Sequence, residues 1–288
     1  MQQTTLTRRV CFSGIGLHTG ALCEVTLLPA PAGSGLKIMP GKERDAVSVT
    51  AAHVTDTHLA TTLTDNAGQS VATVEHLLSA LTGMGVDNCL IEVSGPEIPI
   101  LDGSARLFAE AIAEIGLEAQ DCAAVRREVL KPVTVQNGDR RVRLEPLPEE
   151  VVERRLLMSV EIDFDHPLIG HQSLSVAPVP ETYIEEIGRA RTFGLAAQET
   201  TLHAAGRALG ADETNTLILE DTGLRAGQSL YSPDEFVRHK ALDALGDLRL
   251  AGAPLIGCYT GIKPGHALNV ALVRKLLEDP HASHLVTA

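Results

Sequence analysis

Apolar positions in the first half of the chain come in short runs, and residues 22–28, 36–39 and 88–93 read as strands. A helical pattern covers residues 73–81, ahead of Gly83 and Gly85, which stop it. A second helix is predicted from Ser104, a suitable N-cap, to Gly116 as its C-terminal stop. Residues 121–128 read as a linker. Strands follow at 129–135, 141–145 and 156–164, then helical patterns at 180–190, 200–209 and 233–250. A strand at 255–260 and a helix at 267–278 complete the pattern.

The halves resemble one another faintly. Val74-Glu75-His76 opens a helix that is followed by a strand, a D-G-S loop and a helix; Val237-Arg238-His239 opens a helix followed by a strand, a P-G-H loop and a helix. This order predicts an α+β protein of two similar domains, residues 1–125 and 126–288, each a sheet with helices on one face. A pseudo-twofold axis would bring His76 and His239 together at the cleft between them, a usual place for ligand sites.

Composition narrows the class. The chain has 288 residues and is 44% hydrophobic and 21% charged, as for a soluble globular protein. Aromatics make up 3%, with no Trp, so Leu, Val, Ile and Ala must build the core. A net charge of −13 argues against nucleic-acid binding, though a few local cations suffice for an anionic small ligand. Five Cys without a C-x-x-C pair read as reduced, buried thiols of a cytosolic protein. The first residues carry no apolar signal region, and no run approaches the ~18 apolar residues of a membrane span.

Within F-V-R-H-K-A-L-D-A-L-G-D, His239, Asp243 and Asp247 recur every four residues and share one helix face, with Lys240 beside them. Val237, Ala241, Leu245 and Leu248 form the opposite, core-facing side. His and Asp at i, i+4 can grip one divalent cation; the plainer alternative is a solvated face with an ion pair. Catalytic zinc commonly takes three protein ligands, and His76, His239 and Asp243 would supply them. Glu75, directly before His76, is placed to act as a general base, or is simply an exposed Glu beside a half-buried His. Asp247 could orient a further histidine instead of binding metal. His266, in the tight loop K-P-G-H, could donate a proton to a leaving group, and Lys263 could attract phosphate; either could equally be solvated. Thr192 in R-T-F-G could donate to an oxyanion or be a strand-end Thr. His18, in S-G-I-G-L-H-T-G, lies in a glycine-bracketed turn that does not match a dinucleotide fingerprint. Asp102 starts a helix turn. His53, His58, His166, His171 and His203 show no paired spacing and read as surface or core residues.

Six ordered blocks add to this reading: S-G-I-G-L-H-T-G, T-V-E-H-L-L-S-A-L, P-E-I-P-I-L-D-G-S, A-R-T-F-G, D-E-F-V-R-H-K-A-L-D-A-L-G-D-L and G-H-A-L-N. Together they resemble the UDP-3-O-acyl-N-acetylglucosamine deacetylases, zinc amidases of lipid A synthesis in Gram-negative bacteria. The resemblance implies two α+β domains, each a sheet layered with two helices, with zinc (iron(II) being the alternative) on His76, His239 and Asp243. It implies Glu75 as base, His266 as acid, Asp247 as that histidine's partner, Thr192 as the hydroxyl near the metal and Lys240 as an active-site cation. Phe193, Lys263 and His18 match positions near substrate. An insertion after Thr192 is expected to wall an acyl passage with Leu195, Ala196 and Leu202. Leu195 stands where the family often has an aromatic, and A-A-Q-E-T-T also departs from its pattern, which bears on acyl-chain preference. The implied protein is a cytoplasmic monomer acting on UDP-3-O-acyl-N-acetylglucosamine, without nucleic acid or transmembrane segment, with peripheral membrane contact open. The competing readings are a metal-free binding protein on the same fold and a zinc amidase for another acylated sugar nucleotide.

Overall fold

The computed structural model describes residues 1–41 and 45–287. Leu22–Pro29 alternates exposed and buried positions, turning Cys23, Val25 and Leu27 inward. It pairs antiparallel with Val10–Ile15 on one side and Cys89–Ser94 on the other, and Leu36–Pro40 continues the sheet in parallel to Cys89–Ser94. In the second half, Leu255–Ile262 takes the central place. It pairs antiparallel with Arg140–Glu145 and parallel with Leu156–Phe164, whose far edge carries Gly170–Val176. Among the described residues, every strand pair lies either within residues 2–123 or within residues 125–287. The fold is α+β.

Five α-helices are described: α1 (Glu75–Gly83), α2 (Arg106–Ile115), α3 (Glu199–Ala204), α4 (Glu235–Leu248) and α5 (His266–Glu278). α1 is buried almost all round, because it packs between α4 and α2. Gly246 permits the approach: a Cβ there would stand 2.0 Å from the Glu75 carbonyl oxygen. At the other end of α1, Gly83 lies against Tyr183, whose hydroxyl donates to Ser79 at 2.9 Å.

Several expected elements differ. Residues 121–128 are no linker: Leu117–Ala123 pairs with Gln2–Leu6, and Val125–Val129 joins the second sheet between Leu255–Ile262 and Ser283–Thr287. The expected strand 129–135 is broken, its continuation being Val133–Asn137. The helix expected at 180–190 is only a π-helical turn, Ile184–Gly188. The one at 200–209 ends at Ala204, ahead of Gly206 and Ala208, which both have positive φ. α1 starts at Glu75 instead of Thr73, whose φ of 57° no helix accommodates. α2 starts at Arg106 with Ala105, not Ser104, at its N-cap, although the Ser104 hydroxyl oxygen accepts the Arg106 N–H at 3.1 Å. The ligand-bearing side of α4 is as buried as its core side, because α1 covers it. Of the thiols expected to be buried, Cys11 and Cys122 are exposed.

Candidate metal centre and active site

The start of α1 and the first three turns of α4 deliver the ligand set. His76 lies at the second position of α1, while His239 and Asp243 sit one turn apart on α4. The imidazoles of His76 and His239 meet edge to face, 5.0 Å between centroids. Asp243 Oδ1 stands 3.5 Å from His76 Nε2 and 3.4 Å from His239 Nε2, and the candidate ligand atoms all lie within 4.8 Å of one another. Donors bound ~2.0–2.1 Å from a tetrahedral ion stand roughly 3.3–3.4 Å apart, so this spacing fits one metal ion.

The surroundings prepare these atoms to bind. His239 Nδ1 hydrogen-bonds the Ala190 carbonyl at 3.1 Å, which places its proton there and leaves Nε2 as a lone pair. Burial pulls His239 down to about 3, although Asp243 opposes this, so the ring is neutral at ordinary pH. Against the burial of its charge, His239 and Lys240 hold Asp243 well below the usual carboxylate range. Lys240 Nζ engages Asp243 Oδ2 at 2.7 Å, whereas buried Oδ1 has no hydrogen-bond partner. A buried carboxylate oxygen with no hydrogen-bond partner, beside two imidazole Nε2 atoms, is destabilised unless a cation joins it.

Proton-transfer groups flank the cradle. Glu75 is buried, and burial raises its pKa although His266 and His76 oppose this. His266, the first residue of α5, places Nε2 3.6 Å from Glu75 Oε1 and Nδ1 2.9 Å from Asp247 Oδ2. Although burial opposes its charge, Asp247 and Glu75 hold His266 up at about 10. The pair is thus an imidazolium ready to donate and a carboxylate ready to accept.

A cavity of about 720 Å³ opens over these groups, within the usual range of ligand pockets. Thr192 lines it, its backbone bonded to Gly103 and Leu217. The preceding Arg191 is clamped on the buried Glu235 carboxylate, which fixes this segment against α4. Phe193 lines the cavity too, its ring centroid 6.1 Å from that of His239 and 5.4 Å from Lys240 Nζ. Leu195, Ala196 and Leu202 line a further part of it. Its tip is bonded to the first half: the Leu209 and Gly210 N–H groups donate to the His18 and Leu17 carbonyls. His18 faces the cavity, buried, with neither ring nitrogen hydrogen-bonded. Lys263 reaches the rim, where Asp139 at 2.8 Å and Asp163 at 3.1 Å take its charge. Of the candidate site residues, Asp247 alone does not line the cavity; it acts on His266 from behind.

Sequence reasoning passed over several residues here. His58 and His203, read as surface or core, line the cavity, as do Arg140 and Phe164. Buried Glu97 accepts hydrogen bonds from the His18 and Thr19 N–H groups and from the Thr73 hydroxyl, fixing the loop that carries His18. Leu59, Thr73, Ala208 and Lys263 line the cavity at positive φ, each a strain of about 1–3 kcal/mol that clusters where function does. No local signal marks such positions.

Fold and site together define an α+β protein whose halves share a buried cradle able to hold one metal ion, at the base of a ligand-sized cavity. Residues 3–278 match the UDP-3-O-acyl N-acetylglycosamine deacetylase family (LpxC), and the chain belongs to that family. It is 43% identical to a UDP-3-O-acyl-N-acetylglucosamine deacetylase of Anaeromyxobacter sp. (strain Fw109-5), covering 99% of this chain and 91% of that protein. Proteins of the same name from Myxococcus xanthus (strain DK1622) and Neisseria meningitidis serogroup A are 42% and 38% identical, with 90% and 92% of their lengths covered. No helix among the described residues is long and apolar enough to cross a membrane.

Proposed function

We propose that this protein hydrolyses the 2-acetamido group of UDP-3-O-acyl-N-acetylglucosamine and releases acetate, as a zinc-dependent step of lipid A biosynthesis. The observation that carries the reading is the convergence of His76, His239 and Asp243 beside Glu75 and His266 at one cavity. Family membership and the names of the relatives support the substrate.

His76, His239 and Asp243 hold the metal. Imidazole suits zinc and iron(II) alike, and no thiolate enters the set. A divalent ion held there would supply Lewis-acid polarisation of the amide carbonyl and a more acidic water. Glu75, raised by its burial, takes the proton of the water that attacks the amide carbon. Thr192 donates its hydroxyl to the oxyanion that develops. His266, held cationic chiefly by Asp247, delivers a proton to the amine nitrogen as the C–N bond breaks. Amines leave poorly unless protonated, so a base and an acid are both required. Lys240, Lys263 and His18 lie on the substrate's polar side, and Leu195 and Leu202 along its acyl chain. In this reading the domains are residues 1–125 and 126–288, and the protein works as a cytoplasmic monomer with at most peripheral membrane contact.

Glu75→Gln tests the assignment. It should retain metal and lose turnover by roughly 10²–10⁴-fold, the usual worth of a positioned base. Near-normal acetate release from the purified variant would reject the mechanism.

A further inference from the structure

The base and the acid of the proposed reaction come from opposite halves of the chain, and one residue touches the carboxylates behind both. Thr61 is fully buried and does not line the cavity. Its N–H donates to Glu75 Oε2 at 3.0 Å, and its hydroxyl donates to Asp247 Oδ1 at 2.6 Å. Its carbonyl accepts the Val74 N–H at 3.3 Å, at the entry to α1. The other Asp247 oxygen, Oδ2, binds His266 Nδ1 and the Asn269 side-chain amide, each at 2.9 Å. Asn269 is fixed in turn by the buried Tyr259 hydroxyl, which donates to its Oδ1 at 2.7 Å.

We propose that Thr61 is a positioning residue that sets proton acceptor and proton donor in one frame, its N–H aiming the Glu75 carboxylate and its hydroxyl aiming Asp247 and, through it, His266. The inference rests on the reading of Glu75 and His266 as base and acid. A carboxylate with one oxygen free can turn about its last bond. Asp247 cannot, because Thr61 occupies one oxygen while His266 and Asn269 occupy the other. Glu75 is held at one oxygen, Oε2, by the Thr61 N–H, which leaves Oε1 as the oxygen toward His266. The strand Thr62–Thr64 supplies the rigid base for this contact.

Thr61→Val keeps the N–H and removes the hydroxyl. It should lower kcat about 10- to 100-fold, the effect of losing one hydrogen bond to a charged group, with KM and metal content unchanged. Thr61→Ser should restore turnover. In an Asp247→Asn background the valine substitution should add little, because the partner it acts through is already altered. Thr61→Ala carries the same test if the valine variant does not fold. Normal kcat in Thr61→Val, loss of metal, or losses that simply multiply with those of Asp247→Asn would each overturn the inference. Intact turnover in both Asp247→Asn and His266→Gln would instead refute the acid–base reading beneath it.

Discussion

Replacing Gly246 by Ala sets two effects of opposite sign against each other. Gly246 lies inside α4, where Ala is favoured by about 1 kcal/mol on helix propensity alone. The added methyl, however, would stand 2.0 Å from the Glu75 carbonyl oxygen and 3.0 Å from its Cα. A carbon–oxygen contact needs roughly 3.2 Å, close to the short end of weak C–H···O contacts, so the helices must separate by about 1 Å. Backbone cannot escape by changing rotamer, and such overpacking costs about 1–3 kcal/mol. The clash therefore outweighs the propensity gain. The displaced segment carries Glu75 and His76, and a 1 Å misplacement of reacting groups can cost ~10²-fold in rate. The assay is kcat for acetate release together with thermal unfolding of the same preparation. A variant with a raised Tm and unchanged kcat would show that α1 and α4 do not touch as described.

Other outcomes follow from the same geometry. His239→Ala and Asp243→Ala should each weaken metal binding by more than about 100-fold, beyond the loss seen for outer-shell partners; full metal content in both purified variants would remove them from the ligand set. The pKa of His266 is raised from 6.5 to about 10, so its contribution to stability is fully present below about pH 6.5 and lost as pH rises through about 10. Chemical denaturation of the metal-free protein should show that decline between pH 7 and 10, and His266→Gln should flatten it; an unchanged slope would contradict the assignment. Leu202→Trp narrows the passage and should lower kcat/KM for long acyl chains roughly 10-fold or more relative to short ones, whereas an equal loss at every length would place the chain elsewhere.

The i, i+4 spacing of His239, Asp243 and Asp247 made the ligand face legible, because a helix converts that spacing directly into proximity. The paired helix openings likewise pointed to His76 meeting His239. The same periodicity could not reveal that α1 would cover the ligand face. Exposure there depends on Gly246 and on a second helix far away in sequence. Residues 121–128 were misread because Leu117–Ala123 is largely exposed and Val125–Val129 mixes Arg and Glu with Val. Their strand character comes from partners at Gln2–Leu6 and Ser283–Thr287, not from local alternation. Thr61 was invisible for a related reason. Its contact with Glu75 uses a backbone N–H, which every residue but proline carries, and its contact with Asp247 spans 186 positions.

The depth of the cradle has a consequence for how an ion arrives and departs. His76, His239 and Asp243 are 4%, 2% and 3% exposed, and all three line the cavity. Loading and unloading must then share the doorway through which the proposed substrate would enter. An amphiphile lodged in that doorway should slow extraction by a chelator, so occupancy by substrate shelters the catalyst from demetallation.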